Sequence, residues 1–299
     1  MPLFKRTYRV VFPTLNLEFT DGLRVSFEVQ KDAGKEPNKA KIGIYNLSDA
    51  TRKRIEKEDL EVNLYAGYEK DVGPVCVFKG TVSHASTKDE QGDSVTTIEA
   101  ADGKKPIRDS YCSLSYKPGT SAKVILNRCA NEMGLPLVYG DGVGSLESYQ
   151  NGYSFVGRAA DAITEICDAQ GLSWSIQNNI IQVIKAGGTA TNRGLVFSAY
   201  TGLIGTPERL VKANSNPDKE TGKRKRKAKA EKEKPTKRSG WKIRTLLSPT
   251  VMPGEKVKVE SRVITGWFRV ERIQHSGDYM GDSWVSEMEL VENGETNGQ

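Results

Sequence analysis

Apolar and polar residues alternate through most of the first hundred positions. Leu15, Leu17 and Phe19 alternate with polar neighbours. So do Leu23, Val25, Phe27 and Val29, then Ile42 and Ile44, then Leu60, Val62 and Leu64. Successive strand side chains point to opposite faces, so a period of two predicts strands with one packed face and one solvated face. One short helix interrupts them. Ser48 is placed to cap ATRKRIEKE, a stretch with few helix breakers. Strands resume through VCVFKGTVSHAS and, after a polar turn, DSVTTIEAAD.

The period then changes. From Ser121, apolar residues fall at Ala122, Ile125, Leu126, Cys129 and Met133, the three-and-four spacing of an amphipathic helix. Gly134 is placed as a left-handed cap, with Pro136 just beyond. A second helix carries Ala159, Ala162, Ile163, Ile166 and Cys167 and ends at Gly171. The strand LSWSI, a turn at Asn178-Asn179 and the strand IIQVI predict a hairpin. The two helix exits, CANEMGL and CDAQGL, are alike, which suggests two related halves. After Arg193 strands return in GLVFSAYTGLIG, TPERLVKAN, WKIRTLLSPTVMPGEKVKVES, GWFRVERIQHSGD and DSWVSEMELVE.

A repeat organises these strands. GTVSHASTKDEQGDSVTTIEA, from Gly80, resembles VERIQHSGDYMGDSWVSEMEL, from Val270. The comparison matches His84 with His275, the chain's two histidines, and Gly92-Asp93-Ser94 with Gly281-Asp282-Ser283. IGIYNLSD matches IRTLLSP, and DLEVNLYAGY matches EKVKVESRVITGW. The turn TVMPG replaces the first copy's helix. The chain thus reads as two copies of one β-domain around an α+β module.

Charge adds one local feature. TGKRKRKAKAEKEKPTKRSG, from Thr221, holds ten Lys or Arg and two Glu. Without it, 34 basic and 36 acidic residues remain, so the net charge of +6 belongs to this run. No aromatic interrupts it, unlike a folded nucleic-acid groove. Like charges in a block repel one another and favour a solvated segment. The repeat places the run where the first copy has QKDAGKEPN, in an expanded loop between two strands. If it acts by charge, Lys223, Arg224, Lys225, Arg226, Lys227, Lys229, Lys237 and Arg238 would contact genome phosphates or an acidic neighbour.

No apolar stretch approaches the roughly 20 residues of a membrane helix, so no membrane insertion is expected. MPLFKRTYRVVF lacks a signal peptide's apolar run. Cys76, Cys112, Cys129 and Cys167 show no CxxC spacing and are expected as reduced, mostly packed thiols.

The order of these segments resembles the phage baseplate hub family, which includes the late control protein D type and the Mu-like tail hub. The resemblance rests on IYNLS before a short helix, then LYAGY and VFKGTV, then YSFVGRAADAITEICDAQGLSWSIQNNIIQVI. GLIGTPERL, LLSPTVMPGEKVKVES, WFRVERIQHSGD and SWVSEMEL complete it. It implies a mainly β protein with an α+β middle module. Two tube-like β-barrel domains, residues 1–104 and 191–299, would flank a small α+β domain at 105–190, with a flexible basic loop at about 215–239. It also implies a homotrimer whose six similar barrels adapt a six-fold tail tube to a three-fold spike. The implied partners are the tail tube ring, the central spike, baseplate wedge or tape-measure proteins, and transiently genome DNA in the lumen. The implied location is the virion's tail baseplate, after assembly in the host cytoplasm.

Candidate chemistry is sparse, and the protein is expected not to be an enzyme. The repeat accounts for both histidines as hairpin positions. His275 and Asp278 form an H-x-x-D without a nearby second histidine. Gly140, Gly142 and Gly144 form a G-x-G-x-G that opens no helix. No catalytic, cofactor-binding or metal-ligating set is assigned, and no cofactor is expected. The competing functions are a nucleic-acid-binding protein that uses the basic loop and a cell-wall hydrolase.

Overall fold

The computed structural model describes residues 5–20, 22–57, 59–90, 92–191, 194–212 and 238–292. A first β-run comprises β1 (Arg6–Phe12), β2 (Leu17–Phe19), β3 (Val25–Asp32), β4 (Lys39–Tyr45), helix α1 (Asp49–Ile55), β5 (Glu61–Tyr68), β6 (Gly73–Glu90) and β7 (Asp93–Ala101). The middle holds α2 (Lys104–Asp109), β8 (Tyr111–Tyr116), β9 (Thr120–Ser121), α3 (Ala122–Met133), β10 (Leu137–Tyr139), β11 (Ser148–Tyr149), β12 (Tyr153–Arg158), α4 (Ala159–Ala169), β13 (Leu172–Gln177) and β14 (Ile180–Lys185). A second run comprises β15 (Gly194–Ser198), β16 (Leu203–Lys212), β17 (Arg238–Leu246), β18 (Lys256–Glu260), β19 (Thr265–Asp278) and β20 (Trp284–Glu292).

Local chemistry sets these elements. Ser48 caps α1 by accepting from the Thr51 main-chain N–H, and Ser121 caps α3 from Lys123. Gly134 ends α3 in the left-handed region at φ 66°. Asn178 and Asn179 both hold positive φ, the backbone that a two-residue hairpin between β13 and β14 requires. The helices bury the expected faces: Ile125, Leu126 and Cys129 of α3 pack with Ile163, Ile166 and Cys167 of α4 over Trp174, Ile181 and Val183. Sequence reading missed α2, which is too short to display a helical period, and β8, whose buried Cys112 and Leu114 alternate with exposed neighbours.

The strands of the two β-runs join in one 13-stranded sheet with the path β16-β17-β20-β19-β3-β4-β7-β6-β5-β1-β2, and β15 and β18 branch from it. This path closes neither run on itself. The order β3-β4-β7-β6-β5 in the first run recurs as β16-β17-β20-β19-β18 in the second. No helix stands between β17 and β18, where the first run has α1. The segment expected as one strand, GLVFSAYTGLIG, splits at a turn. β15 leaves β16 to pair in parallel with β18.

The registers repeat as well as the order. In the first run Glu28 faces Lys41, Lys41 faces Glu99, and Glu99 faces His84. In the second, Glu208 faces Lys242, Lys242 faces Glu289, and Glu289 faces Arg272. A β-bulge precedes the last position in both, between Val82 and His84 and between Val270 and Arg272. A bulge adds one residue and flips the faces beyond it, so it anchors register more firmly than a side-chain match. His84 therefore corresponds to Arg272, and the sequence match of His84 with His275 is three residues out. His84 lies on the exposed face, whereas His275 is fully buried.

Three buried clusters result. One lies inside the first β-run around Phe12, Ile42, Leu64, Phe78 and Ile98. The second lies in the middle, and the third around Val259, Val270, Ile273 and Met288. Trp284 and Leu247 come from the second run but belong to the first cluster. Trp284 meets Phe27 edge to face at 5.3 Å. Trp284→Ala removes this shared anchor and should lower stability by about 3–5 kcal/mol. Urea unfolding checks this, and a loss under about 1 kcal/mol would refute the anchoring role.

Candidate assembly surface

The two β-runs meet where β3 pairs antiparallel with β19, from Asp32 opposite Arg272 to Ser26 opposite Asp278. The tip of the β19–β20 hairpin then grips the first run. The Arg24 guanidinium reaches both Asp278 carboxylate oxygens, with Nη2 at 2.7 Å from Oδ2. Arg6 donates from Nη1 to the Asp278 carbonyl at 3.0 Å, from Nη2 to the Asp282 carbonyl at 3.1 Å, and also to the Gly281 carbonyl. Burial alone would raise the Asp278 pKa. Hydrogen bonds from Arg24 and from the Met280 and Gly281 N–H groups outweigh it and hold the carboxyl below its usual value. Gly277 has no room for a Cβ, which would sit 2.3 Å from the Phe27 ring.

A buried polar junction ties the middle to both runs. Lys31, on the inward face of β3, donates to Asn178 Oδ1 at 2.9 Å and contacts Met252 Sδ at 3.4 Å. Asp102 accepts from the Asn38 N–H at 2.9 Å, Asn38 Nδ2 at 3.0 Å and the Asn178 N–H at 3.0 Å. Asn38 Nδ2 also donates to the Ile176 carbonyl, and Gln177 Nε2 to the Asp32 carbonyl. Burial lowers the Lys31 pKa to about 8, against the pull of Asp102, and raises Asp102 to about 6. Satisfied on several sides, this network fixes one orientation of the middle module against the β-runs. The β3–β4 turn between Asp32 and Asn38 carries it. Sequence reading missed the site, because Lys31 and Asn38 sit in a stretch of ordinary loop composition.

The outward faces of eight strands, β16-β17-β20-β19-β3-β4-β7-β6, form one continuous, mainly polar surface interrupted by Leu210, Val285, Val291 and Val95. It carries Glu28, Lys41, Glu99, His84, Lys88, Glu208, Lys242, Arg244, Glu287, Glu289, Arg272 and Gln274. Lys242 and Glu287 pair at 2.8 Å, and Gln274 bonds Glu28 across the joint at 2.9 Å. Both signs interleave, so the face carries no strong field of one sign.

The candidate chemical positions do not converge. His275 Nδ1 meets Ser286 Oγ at 2.8 Å inside the second run, while Asp278 is bound at the hairpin tip by Arg24. Burial pushes His275 down to about 3, so its ring is neutral at physiological pH. Gly140 packs against Ala190 and Ile184, and the chain runs on without a helix to β11. Cys112, Cys129 and Cys167 are buried free thiols and Cys76 is half-buried. Among the described residues, no group of three or more His, Cys, Asp or Glu could hold a metal, and no helix is long and apolar enough to cross a membrane. Lys223, Arg224, Lys225, Arg226, Lys227, Lys229 and Lys237 lie outside the described residues. Arg238 is described through its backbone, which pairs with Lys212. The described strands on either side of the basic run, β16 and β17, pair antiparallel.

The family model described as "Baseplate hub gp41" matches residues 7–210. No curated protein matches the chain. Among solved structures, the tail protein from Neisseria meningitidis MC58 is similar at a TM-score of 0.65 and 12% identity, covering 97% of this chain and 98% of that one. The 43 kDa tail protein of prophage MuSo2 from Shewanella oneidensis gives 0.64 and 10%, over 97% and 99%. The E. coli c3393 protein gives 0.59 and 10%, over 96% and 77%. It is described as a type VI secretion component structurally similar to T4 bacteriophage tail proteins gp27 and gp5. At these identities the likeness is one of fold.

The depressed His275 pKa fixes a pH dependence. Below 6.5 an unfolded histidine takes a proton that the folded ring refuses until about 3. The stability it confers is whole above 6.5 and is lost as pH falls toward 3. Relative to His275→Gln, the native chain should therefore lose up to about 1.4 kcal/mol per pH unit of acidification in that window. Urea midpoints at pH 7 and pH 5 check this. Parallel losses in both proteins would exclude His275 as the source.

Proposed function

The chain belongs to the baseplate hub gp41 family, and on that premise we propose that three copies form a ring that adapts a six-fold tail tube to a three-fold spike. The observation that carries the reading is the repeated strand order and register within one chain. Two equivalent β-units per protomer give six equivalent positions from three chains. A closed ring also lets one heterologous contact repeat without open-ended growth. In this reading the β-runs, within residues 1–104 and 191–299, act as tube-like barrel domains around the module at 105–190.

The function is geometric and needs no catalytic group. Each unit buries one sheet face on its own core and leaves the other face mainly polar, which suits the wall of a water-filled channel. The continuous eight-stranded face would line that channel, with genome DNA passing inside, and the interleaved charges would keep the DNA from sticking. The tail tube ring would meet one rim. The spike, with wedge or tape-measure proteins, would meet the other. Assembly in the host cytoplasm precedes incorporation into the virion.

Native mass spectrometry of the full chain, with imaging of assembled tails, tests this. A trimer in solution or a three-chain ring in the particle is expected. A stable monomer that also joins no ring in the tail overturns the proposal. Deleting residues 222–236, which spares β17, should leave ring formation intact. Loss of the ring on that deletion would overturn the passive reading of the basic run and give it a role in assembly.

A further inference from the structure

The two edges that bound the eight-stranded outward face are open among the described residues. β16 pairs with β17 on one side and with nothing on the other. β6 pairs with β5 through residues 73–81 on one flank and with β7 through 81–90 on the opposite flank. Val82 still bonds Leu60 and Asp59 on the β5 side, so that edge is open from His84 onward. Long open edges invite pairing with another chain, and folded proteins commonly cover or interrupt them.

The repeat identifies what covers them. Registers equate Glu28 with Glu208 and His84 with Arg272. β3 is thus the counterpart of β16, and β19 the counterpart of β6. Inside one chain, β3 and β19 are already joined, with Asp32 opposite Arg272 and Glu28 opposite Ser276. The open edges are the other halves of that same joint.

We propose that, in the ring proposed above and resting on that reading, β16 of one protomer pairs antiparallel with the outer edge of β6 in a second copy. The register sets Glu208 opposite the neighbour's Lys88 and Lys212 opposite its His84. Carrying the in-chain register across gives five residue pairs in all. Glu208 and Lys88 are both exposed in the single chain and have opposite charge, which favours a directly opposed cross-strand pair. Pro207 stands where β3 has Phe27. It lacks the N–H a further rung needs, so the ladder stops there.

The two joints differ in strength. Inside the chain, Phe27 meets Trp284 and Arg24 binds Asp278. By the same register, the contact between chains has Pro207 for Phe27 and Ser94 for Trp284. Main-chain hydrogen bonds and one ion pair remain. The in-chain joint thus forms on folding, and the joint between chains forms on assembly.

Cross-linking tests the register in the full chain. Directly opposed Cβ atoms lie about 4.5–5.5 Å apart, near the reach of a disulfide. The Lys88→Cys, Glu208→Cys double variant should, on mild oxidation, give covalent dimers and trimers on non-reducing gels. Each single variant, and the shifted pair Ser86→Cys, Glu208→Cys, should stay monomeric on the gel. Native mass spectrometry runs alongside, in solution and on particles. Rings that form without the Lys88–Glu208 cross-link overturn this pairing and leave the ring reading standing. Absence of rings in both settings overturns both. Charge exchange gives a second readout: Lys88→Glu should shift trimers toward monomers, and adding Glu208→Lys should restore them. A loss that the exchange fails to restore also overturns the pairing.

Discussion

The architecture depends on seven residue pairs between β3 and β19. Without that joint the two β-runs would be separate sheets with naked edges. With it they form a single sheet whose mainly polar face continues from β16 to β6. The joint combines directional and non-directional terms. Main-chain hydrogen bonds set the register, Phe27 against Trp284 supplies buried apolar area, and Arg24 with Asp278 locks the hairpin tip. Each constrains a different freedom, so the angle between the runs is defined rather than hinged.

The middle module is held by different physics. Its own core of α3, α4 and the β13–β14 hairpin folds around apolar side chains. Its attachment to the β-runs runs through buried polar groups: Lys31, Asn38, Asp102, Gln177 and Asn178. Burying ionisable groups is costly, as the opposite shifts of Lys31 and Asp102 record. Such a network tolerates few alternative dockings, since any displacement strands a buried donor or acceptor. The short β3–β4 turn feeds this network, and the corresponding β16–β17 connection is the one that carries the basic run.

The repeat was legible in sequence and its exact register was not. IGIYNLSD and IRTLLSP align as the strands do, with Ile42 and Ile243 each one place after the matched lysines Lys41 and Lys242. The histidine match misled because it rested on two identical letters in a variable hairpin. A bulge at Ser83 and at Glu271 sets the true frame, and a bulge has no sequence signature of its own. The buried polar junction was invisible for a related reason. Lys31, Asp102 and Asn178 are more than 140 residues apart along the chain at the extremes, and each looks solvent-facing in its own segment.

By itself the sequence determined most strands and the helices α1, α3 and α4 through their periods, the caps and turns at Ser48, Gly134 and Asn178, and the existence of two related β-halves. These follow from interactions among near neighbours, which a linear string records. Only the tertiary structure decided that the halves share one sheet, that His275 is buried while His84 is exposed, and which edges stay open. Those outcomes depend on register, where a shift of a single residue exchanges the two faces of a strand. Composition along the chain is blind to such a shift, and the packed sheet is not.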